Sequence, residues 1–453
     1  MSEKAAVSNE FLPHHGNLSK DLREMLEARL KDGRLPTSAV CTTTLELGID
    51  IGDVKSVAQI GAPYSIAGLR QRMGRSGRRP GAPVILRIYV PEEALSSITA
   101  EVDRLRLETA MTVAGVRLLL RKWCEPPPPK ALHLSTLVHQ TLSTISQHGG
   151  ASAARLYDTL CGKGPFAGVD RATYAAVLRS MGSEEAALIE QAEDGVLLLG
   201  EGGERIVGSH MFYAIFETPE EFSVVAKGKT LGTVPVDTPL KPDDFIVFAG
   251  RRWKVLEIHD REKILEVEAA RGGKLLTFGG EPAPIHDRLA AETRTVFEAD
   301  DEPAFLDKRA LEHLRAGRGH YRARRLNAAG VLPEGERTLL FPWVGTRKSQ
   351  TLALALAARG IKAQTWGLAV IAHALSDEVL PALSDIASDP PPDSLELAAS
   401  VANKVRLKYD RFLDDALLDR QLASSMIDAA TLPLIARGLL ERESVGLPPP
   451  GRL

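Results

Sequence analysis

An arginine-rich segment at residues 71–78, Gln-Arg-Met-Gly-Arg-Ser-Gly-Arg, has the most specific chemistry in this sequence. With its neighbours it places five arginines within ten residues, interrupted by glycine: Arg70, Arg72, Arg75, Arg78 and Arg79. Arginine is rarely fully buried without a partner, so the segment is expected at the surface. Glycine lets the backbone turn sharply, so that several guanidinium groups can converge on one phosphate. The segment therefore indicates a phosphate site; a solvated basic loop is the alternative.

A threonine-rich turn at residues 41–51, Cys-Thr-Thr-Thr-Leu-Glu-Leu-Gly-Ile-Asp-Ile, is a second candidate phosphate site. It follows a short strand-like run, and its hydroxyls and N–H groups can bind a phosphate backbone. Gly48 permits close backbone approach, and Asp50 offers an acceptor for a ribose hydroxyl. A plain loop or helix cap is the alternative, because threonine favours caps in general.

Further candidates lie later in the chain. A basic stretch with an aromatic residue suits contact with a single strand and base stacking; its members are His313, Arg315, Arg318, His320, Tyr321, Arg322, Arg324 and Arg325. A solvated helix face is the alternative for this stretch. Trp253 is a candidate stacking platform, although a tryptophan within a strand usually packs inward, and the same holds for Trp343 and Trp366. The histidines show no zinc-like spacing, so no metal site is expected.

Composition limits the class of protein. With 453 residues, 44% hydrophobic and 25% charged, the sequence predicts several globular domains. The net charge of −3 means that any nucleic-acid binding must come from local basic patches. Three scattered cysteines indicate a reducing compartment and no structural zinc. Because no signal peptide or apolar run near 18 residues is found, we expect a cytoplasmic protein.

The first 130 residues alternate helical and strand-like patterns. A helix is predicted over 20–32, with Leu22, Met25, Leu26 and Leu30 on one face and Gly33 at its end. Apolar runs at 38–41, 54–60 and 84–90 predict strands of a parallel α/β sheet. A long helix is expected over 92–123, and the prolines at 126–129 indicate a linker.

The later segments change character twice. Helical patterns at 131–147, 152–161 and 171–181, with a two-stranded wing around Gly200–Gly203, predict a winged helix. Regular short strands then predict a small β-barrel or sandwich; they are 222–226, 230–234, 245–248, 252–258, 264–269 and 274–278. From about 285 the pattern is mainly helical, with one strand-like run at 338–344.

Three segments in the first 80 residues together resemble the second RecA-like domain of a superfamily 2 DEAD/DEAH-box helicase. They are His15-Gly16 before a helix, the Thr-containing Gly-Ile-Asp-Ile turn, and Gln-Arg-x-Gly-Arg-x-Gly-Arg. The wording Thr-Leu-Glu-Leu-Gly-Ile-Asp-Ile is most similar to the large helicase-related (Lhr) family. The resemblance implies a multidomain α/β and α+β fold. Its parts are a partial RecA-like domain (1–95), a helix and linker (96–130), a winged helix (131–207), a β-barrel (208–285) and a helical C-terminal region (286–453).

The resemblance also implies roles for the motif residues. Arg75 and Arg78 match arginine fingers that contact the ATP γ-phosphate, an effect worth about 10³–10⁵ in rate. Gln71 and Arg72 would contact the nucleotide region, and Gly48 and Asp50 would approach the ribose. The residues implied to contact nucleic acid are His15, Gly16, Thr42 and Thr43.

One part of a helicase motor is not found in this sequence. The nearest match to a phosphate-binding P-loop, Gly345-Thr-Arg-Lys348-Ser349, lacks the glycine before the lysine and the one five residues earlier. Asp377-Glu378 resembles a Mg²⁺-binding pair but lies in a helical pattern. Few residues precede His14, so the RecA-like domain itself is expected to be incomplete.

The resemblance therefore implies the C-terminal part of an ATP-dependent helicase or translocase for single-stranded DNA and duplexes, with a role in DNA repair. RNA is an open alternative. ATP and Mg²⁺ would serve the complete motor, and this chain alone is expected neither to bind ATP tightly nor to hydrolyse it. A split or truncated gene, or a separate chain that carries the first RecA-like domain, would explain the missing half. The alternative function is a non-catalytic nucleic-acid- or protein-binding module that keeps the RecA remnant as scaffold.

Overall fold

Two units, each assembled from separate stretches of the chain, make up the computed structural model of this mixed α/β protein. One unit comprises Met1–Pro91, Arg121–Cys124 and Thr218–Ala283, and the other comprises Glu92–Leu120, Glu125–Glu217 and Pro284–Leu453. The structure describes residues 10–16, 18–46, 51–52, 54–78, 80–96, 99–127, 131–216, 221–235, 245–248, 251–259, 263–270, 283–401 and 404–443.

Short parallel strand pairs and two helices form the start of the first unit. The elements are β1 (Phe11–His14), α1 (Lys20–Asp32), β2 (Ser38–Cys41), β3 (Val57–Ile60), α2 (Ile66–Met73) and β4 (Leu86–Tyr89). β1 pairs with β2 and β3 with β4, both in parallel. The parallel direction confirms the prediction, but the described residues hold two separate pairs rather than one sheet.

Helix α1 has the predicted bounds but not the predicted burial. Gly33 ends it in the left-handed conformation, with φ of 63°. Of the four apolar residues predicted to share one face, only Leu26 is buried, whereas Leu22 and Met25 are 38% and 53% exposed. The spacing thus predicts the helix correctly, but of its apolar face only Leu26 is buried.

The helix predicted over 92–123 is wrong as a single element. Two helices, α3 (Glu101–Arg104) and α4 (Leu107–Leu120), are separated at Arg106, which has a φ of 54°. The Arg106 side chain is buried, forms an ion pair with Glu92 at 3.3 Å and donates to the Glu93 carbonyl at 2.6 Å. This internal partner stabilises the break, and periodicity alone does not reveal it.

Helices and a small antiparallel sheet alternate over residues 131–207. The elements are α5 (Leu134–His148), β5 (Ala151–Ser152), α6 (Ala153–Tyr157), α7 (Arg171–Met181), β6 (Ile189–Gln191), β7 (Val196–Leu199) and α8 (Glu201–Val207). The strand order is β5-β7-β6. The three helical patterns are confirmed in position, but the predicted wing is misplaced. Its hairpin turns at Gly195, and residues 201–207, where it was expected, form α8.

A five-stranded sheet follows in the first unit. Its strands are β8 (Glu221–Ala226), β9 (Lys229–Pro235), β10 (Phe245–Phe248), β11 (Arg251–His259) and β12 (Ile264–Ala269), in the order β10-β11-β12-β8-β9. Five of the six predicted strands are confirmed, and the sixth, 274–278, lies outside the described residues. Leu18 reaches this sheet: it is 3% exposed and packs with the sheet's core residues Trp253 and Val255.

The C-terminal region contains a four-stranded sheet, of which only one strand-like run, 338–344, was predicted. Its elements are α9 (Asp287–Glu298), α10 (Lys308–Ala323), β13 (Val331–Glu334), β14 (Arg337–Leu340), α11 (Thr346–Ala357), β15 (Ala363–Trp366), β16 (Ala369–Ala372), α12 (Ser376–Ser388), α13 (Ser394–Ala399), α14 (Asp415–Met426) and α15 (Leu432–Glu443). The four strands are antiparallel in the order β13-β14-β16-β15. Each has only four residues, a length at which apolar runs do not distinguish strand from helix.

Two large apolar clusters hold the second unit together. One joins the C-terminal sheet to α11, α12 and α15. The other joins residues 134–199 to Tyr409, Leu413, Leu417 and Leu418. Within the described part of the chain, no helix is long and apolar enough to cross a membrane.

Candidate nucleotide and nucleic-acid interface

The first and second motifs leave the sheet at the same edge. β1 and β2 are parallel and in register, with His14 paired with Cys41, so both strands end side by side. Gly16, Thr42 and Thr43, just beyond these ends, are exposed, and His15 is half-buried. The structure therefore brings together the four residues that the resemblance assigns to nucleic acid, on one accessible surface.

His14 holds the threonine-rich turn in place. Its ring is 1% exposed, with Nδ1 2.8 Å from Thr44 Oγ1 and Nε2 3.0 Å from a Glu27 carboxylate oxygen. The Thr44 hydroxyl also donates to the His14 carbonyl at 3.0 Å. The sequence analysis gave His14 no role, although its place directly before His15 in the motif was a signal for one.

His15 is shifted toward its neutral form. Partial burial lowers the pKa of His15 below its usual value, and the nearby charges of His14 and Arg23 lower it further. At neutral pH this side chain is therefore a polar hydrogen-bonding group rather than a cation. Any contact that it makes with a phosphate would not rest on a full positive charge.

Glu46 connects the threonine-rich turn to the arginine segment. Its carboxylate lies 2.7 Å from Arg72 Nε, and Arg75 Nη2 donates to its main-chain carbonyl. Arg72 also donates from Nη1 to Gln59 Oε1 at 2.5 Å. Neither Glu46 nor Gln59 was predicted as a site residue: Glu46 lies inside the threonine-rich motif, whereas no sequence signal marks Gln59.

The backbone of the arginine segment turns at Ser76 and Gly77. Ser76 is 2% exposed; its hydroxyl accepts from the Ile85 N–H at 3.1 Å. Gly77 has a φ of 67°, and a Cβ atom there would lie 2.9 Å from the backbone of Val84. After this turn Arg78 is exposed, and within the described residues it has no carboxylate partner. Gln71 is also exposed, at the end of α2.

Some of the predicted site residues cannot be placed. Gly48 and Asp50, assigned to the ribose, lie outside the described residues, as does Arg79.

The stacking role predicted for Trp253 is wrong. Trp253 is 9% exposed and packs in the core of the five-stranded sheet, so its ring offers no open face to a base. Tyr321 is 1% exposed and stacked on Phe297 at 5.0 Å, and it is likewise unavailable. Trp343 is in the core as expected, whereas Trp366 is 56% exposed and differs from that expectation.

In the later basic stretch, Arg318 is buried, whereas Arg315, Arg322 and Arg324 are exposed but engaged with carboxylates. Arg324 forms two hydrogen bonds of 2.7 Å with Glu101, and Arg322 pairs with Asp300. Arg325 is exposed, with a φ of 53°. A nucleic-acid phosphate would have to displace Glu101 or Asp300, so this stretch is a weaker candidate than the strand edge.

In the loop that resembles a P-loop, the carboxylate of Asp287 binds both the backbone and the lysine. The Gly345 N–H donates to Asp287 at 2.7 Å, and Lys348 Nζ lies 2.7 Å from the other carboxylate oxygen. Burial alone would raise the pKa of Asp287, but Lys348 and the Gly345 N–H outweigh it and hold that pKa below the usual value. Asp377 and Glu378 lie in the first turn of α12. Both segments are helix starts, as the missing glycines and the helical pattern predict.

Comparison with known proteins agrees with these motifs. The family model for the helicase conserved C-terminal domain matches residues 2–80. The Lhr helicase/probable uracil glycosylase of Mycolicibacterium smegmatis is 27% identical over 422 residues, which are 83% of this chain and 26% of that protein. The Lhr helicase/uracil glycosylase of Escherichia coli is 43% identical over 82 residues, 18% of this chain and 5% of that protein.

A solved helicase has a similar fold. The helicase Lhr of Mycobacterium smegmatis, bound to ssDNA and AMP-PNP, gives a TM-score of 0.57 at 18% identity, over 96% of this chain and 59% of that chain. Together these findings support a C-terminal superfamily 2 helicase portion of the Lhr type. The chain spans about a quarter (26%) of the length of its M. smegmatis relative.

Proposed function

We propose that this chain supplies the single-strand contacts and the arginine fingers of an ATP-dependent helicase or translocase of the Lhr type. The observation that carries the proposal is the shared strand edge: Gly16 and Thr42 follow the adjacent ends of β1 and β2, and Glu46 joins that edge to the arginines. Exposed hydroxyls and N–H groups suit a phosphate backbone, and the exposed Arg78 and half-buried Arg75 suit the γ-phosphate. We include a role in DNA repair in this proposal.

In the complete motor, ATP bound with Mg²⁺ supplies the free energy for translocation. On this chain Arg75 and Arg78 would stabilise charge on the γ-phosphate, and Gln71 and Arg72 would lie beside the nucleotide. Lys348, already paired with Asp287, gives no second phosphate cradle. The P-loop and the Mg²⁺ ligands would come from a first RecA-like domain, in another part of the polypeptide or on a separate chain.

Binding of single-stranded DNA by the purified chain tests the first half of the proposal. We expect an unstructured oligonucleotide to bind with an affinity that falls with salt, because the slope of log K against log salt counts phosphate contacts. Replacing Thr42 and Thr43 by alanine should weaken binding, whereas alanine at Thr159, an exposed threonine elsewhere, should not. An RNA oligonucleotide of the same sequence shows which nucleic acid is preferred. Equal binding by all these variants would refute the assignment of this edge.

ATP hydrolysis tests the second half. The chain alone should show no ATPase activity, and activity should appear when a first RecA-like domain is added together with single-stranded DNA. In that assembly, alanine at Arg75 or Arg78 should reduce the rate by about 10³-fold or more. DNA binding without any DNA-stimulated ATPase in the assembly would favour the non-catalytic binding module instead.

A further inference from the structure

We propose that Glu46 is a positioning residue that transmits nucleic-acid binding to the arginine segment. The proposal rests on the proposed function and adds a specific route: the turn that binds the strand and the arginines that face ATP are joined through this one residue. Residues 42–46 form the route, with the 3-10 turn Thr43–Leu45 at its centre.

On the nucleic-acid side, the turn is fixed at Thr44. His14 contacts the Thr44 hydroxyl from its ring and accepts from it at its carbonyl, so the turn cannot shift without moving the end of β1. His14 is itself held by Glu27 on α1. Thr42 and Thr43 are exposed immediately before this fixed point. A phosphate that binds them therefore acts on a segment with defined internal contacts.

Between the two sides, the turn is short and internally bonded. Leu45 is 6% exposed and anchors the turn in the core, and the Glu46 N–H donates to the Thr43 carbonyl at 2.9 Å. A single 3-10 turn with an apolar anchor is expected to move as one piece, because its hydrogen bond fixes the intervening backbone angles. A displacement at Thr43 is then a displacement at Glu46.

On the arginine side, Glu46 contacts two different arginines with two different groups. Its carboxylate pairs with Arg72, and its carbonyl accepts from Arg75. Arg72 is fixed a second time by Gln59, at the middle of β3. The direction of the Arg75 guanidinium thus depends on the backbone at Glu46. The position of Arg72, at the end of α2, depends on the Glu46 side chain. No other described residue in the two motifs makes both kinds of contact.

The ion pair is partly solvated, which makes the proposal testable. The side chains of Arg72 and Glu46 are 28% and 17% exposed, so removing the charge of Glu46 leaves the apolar core of the unit intact. Glu46→Gln keeps the shape and loses the charge. Glu24→Gln is the matched control, because Glu24 is on α1, is 61% exposed, and among the described residues pairs only with Lys20.

Hydrogen exchange of the full chain, with and without a single-stranded dT oligonucleotide, tests the route. In the unchanged chain, DNA should slow exchange in residues 66–78 as well as in residues 42–46. In Glu46→Gln, DNA affinity should stay within about twofold, and the DNA-dependent slowing at 66–78 should be lost. Glu24→Gln should behave like the unchanged chain. A merely structural role for Glu46 would change exchange in the free chain and leave the DNA-dependent difference in place.

Two further variants keep the inference testable if Glu46→Gln does not fold. Arg72→Lys keeps the charge but cannot reach both Glu46 and Gln59, and it should show a partial loss of the same DNA-dependent difference. The double variant Glu46→Gln/Arg72→Gln should be no worse than Glu46→Gln alone. Normal slowing at 66–78 in Glu46→Gln overturns the inference. An unchanged chain that binds no DNA would instead overturn the proposed function.

Discussion

Gly77 occupies a position in the arginine segment that accepts no side chain. Its φ of 67° is a conformation that other residues rarely adopt, and the backbone of Val84 fills the space where a Cβ would be. The direction in which Arg78 leaves the turn depends on this close approach. A single hydrogen atom in place of a methyl group therefore decides the direction in which the Arg78 side chain leaves the turn.

Replacing Gly77 by alanine should destabilise the first unit more than the strain of a left-handed residue alone, which is roughly 1–3 kcal/mol. Gly81→Ala is the control, since Gly81 has a φ of 81° and open space around it. Urea unfolding followed by tryptophan fluorescence measures both. Equal losses in the two variants would show that the contact with Val84 is not a constraint.

The motif residues were predictable from sequence because they depend on local order along the chain. Their partners were not. Glu46 and Gln59 are ordinary polar residues until folding brings them to Arg72. His14 owes its role to a hydrogen-bond partner thirty residues later in the sequence, the Thr44 side chain in the 3-10 turn. Trp253 shows the converse error, because residue type suggested stacking and tertiary packing removed it.

At the scale of elements, α3 and α10 are joined by a charged cluster. Burial alone would raise the pKa of Glu101, but Arg324 and His320 outweigh it and hold that pKa below its ordinary value. Burial lowers the pKa of His320 despite the nearby Glu101. At neutral pH His320 is therefore mostly neutral, and Arg324 is the cation that stabilises the Glu101 carboxylate.

This cluster predicts a loss of stability in acid in two steps. As pH falls below about 6.5, the unfolded chain takes up a proton at His320 before the folded chain does, so stability declines. As pH falls further, through the ordinary glutamate range of about 4.3 and down to the lowered pKa of Glu101, the contribution of that carboxylate is lost.

Two variants separate these steps. His320→Gln should remove the upper one and Glu101→Gln the lower, the latter at a cost of about 1 kcal/mol at neutral pH because Arg324 is partly exposed. The urea midpoint, measured from pH 8 down to about pH 3 so that the range includes both steps, is the readout. A midpoint with the same pH profile in all three proteins would contradict the assignment.

The presence of a helix or strand was easier to predict from the sequence than the residue at which it ends. Strand β2 and the bounds of α1 follow from periodicity and Gly33, but the break at Arg106 needs Glu92 as a buried partner, which no local pattern contains. Of the strands β13 to β16, only β14 was anticipated, by the strand-like run at 338–344. The others were missed because four buried residues in a row, as in β16, suit a strand or a helix equally.

At the scale of the whole molecule, the chain returns to its first unit after leaving it. Leu18, near the start, is buried in the same apolar cluster as Phe222 and Leu265, more than two hundred residues later. Sequence order alone suggested separate consecutive domains. This core contact fixes the chain at Leu18, two residues after Gly16, against the five-stranded sheet.

Leu18→Ala should therefore destabilise the five-stranded sheet, by about 2–5 kcal/mol for a buried leucine. Hydrogen exchange should speed up in β11 and stay unchanged in α12, which belongs to the second unit. Leu383→Ala, in the core of that second unit, should give the opposite pattern. Faster exchange in α12 alone after Leu18→Ala would contradict the division into these units.

The start of α5 has a consequence for the order of events during synthesis. Gln421 accepts hydrogen bonds from the N–H groups of Leu134 and Ser135, and the Leu132 N–H donates to Ser424. These partners emerge from the ribosome nearly three hundred residues after the groups that they satisfy. At about 5–20 residues per second, α5 waits roughly 15–60 s for its final contacts. During that interval the nascent chain exposes the apolar surface of residues 134–199 that Leu417 and Leu418 later cover. This exposed apolar surface is what a chaperone would bind during synthesis.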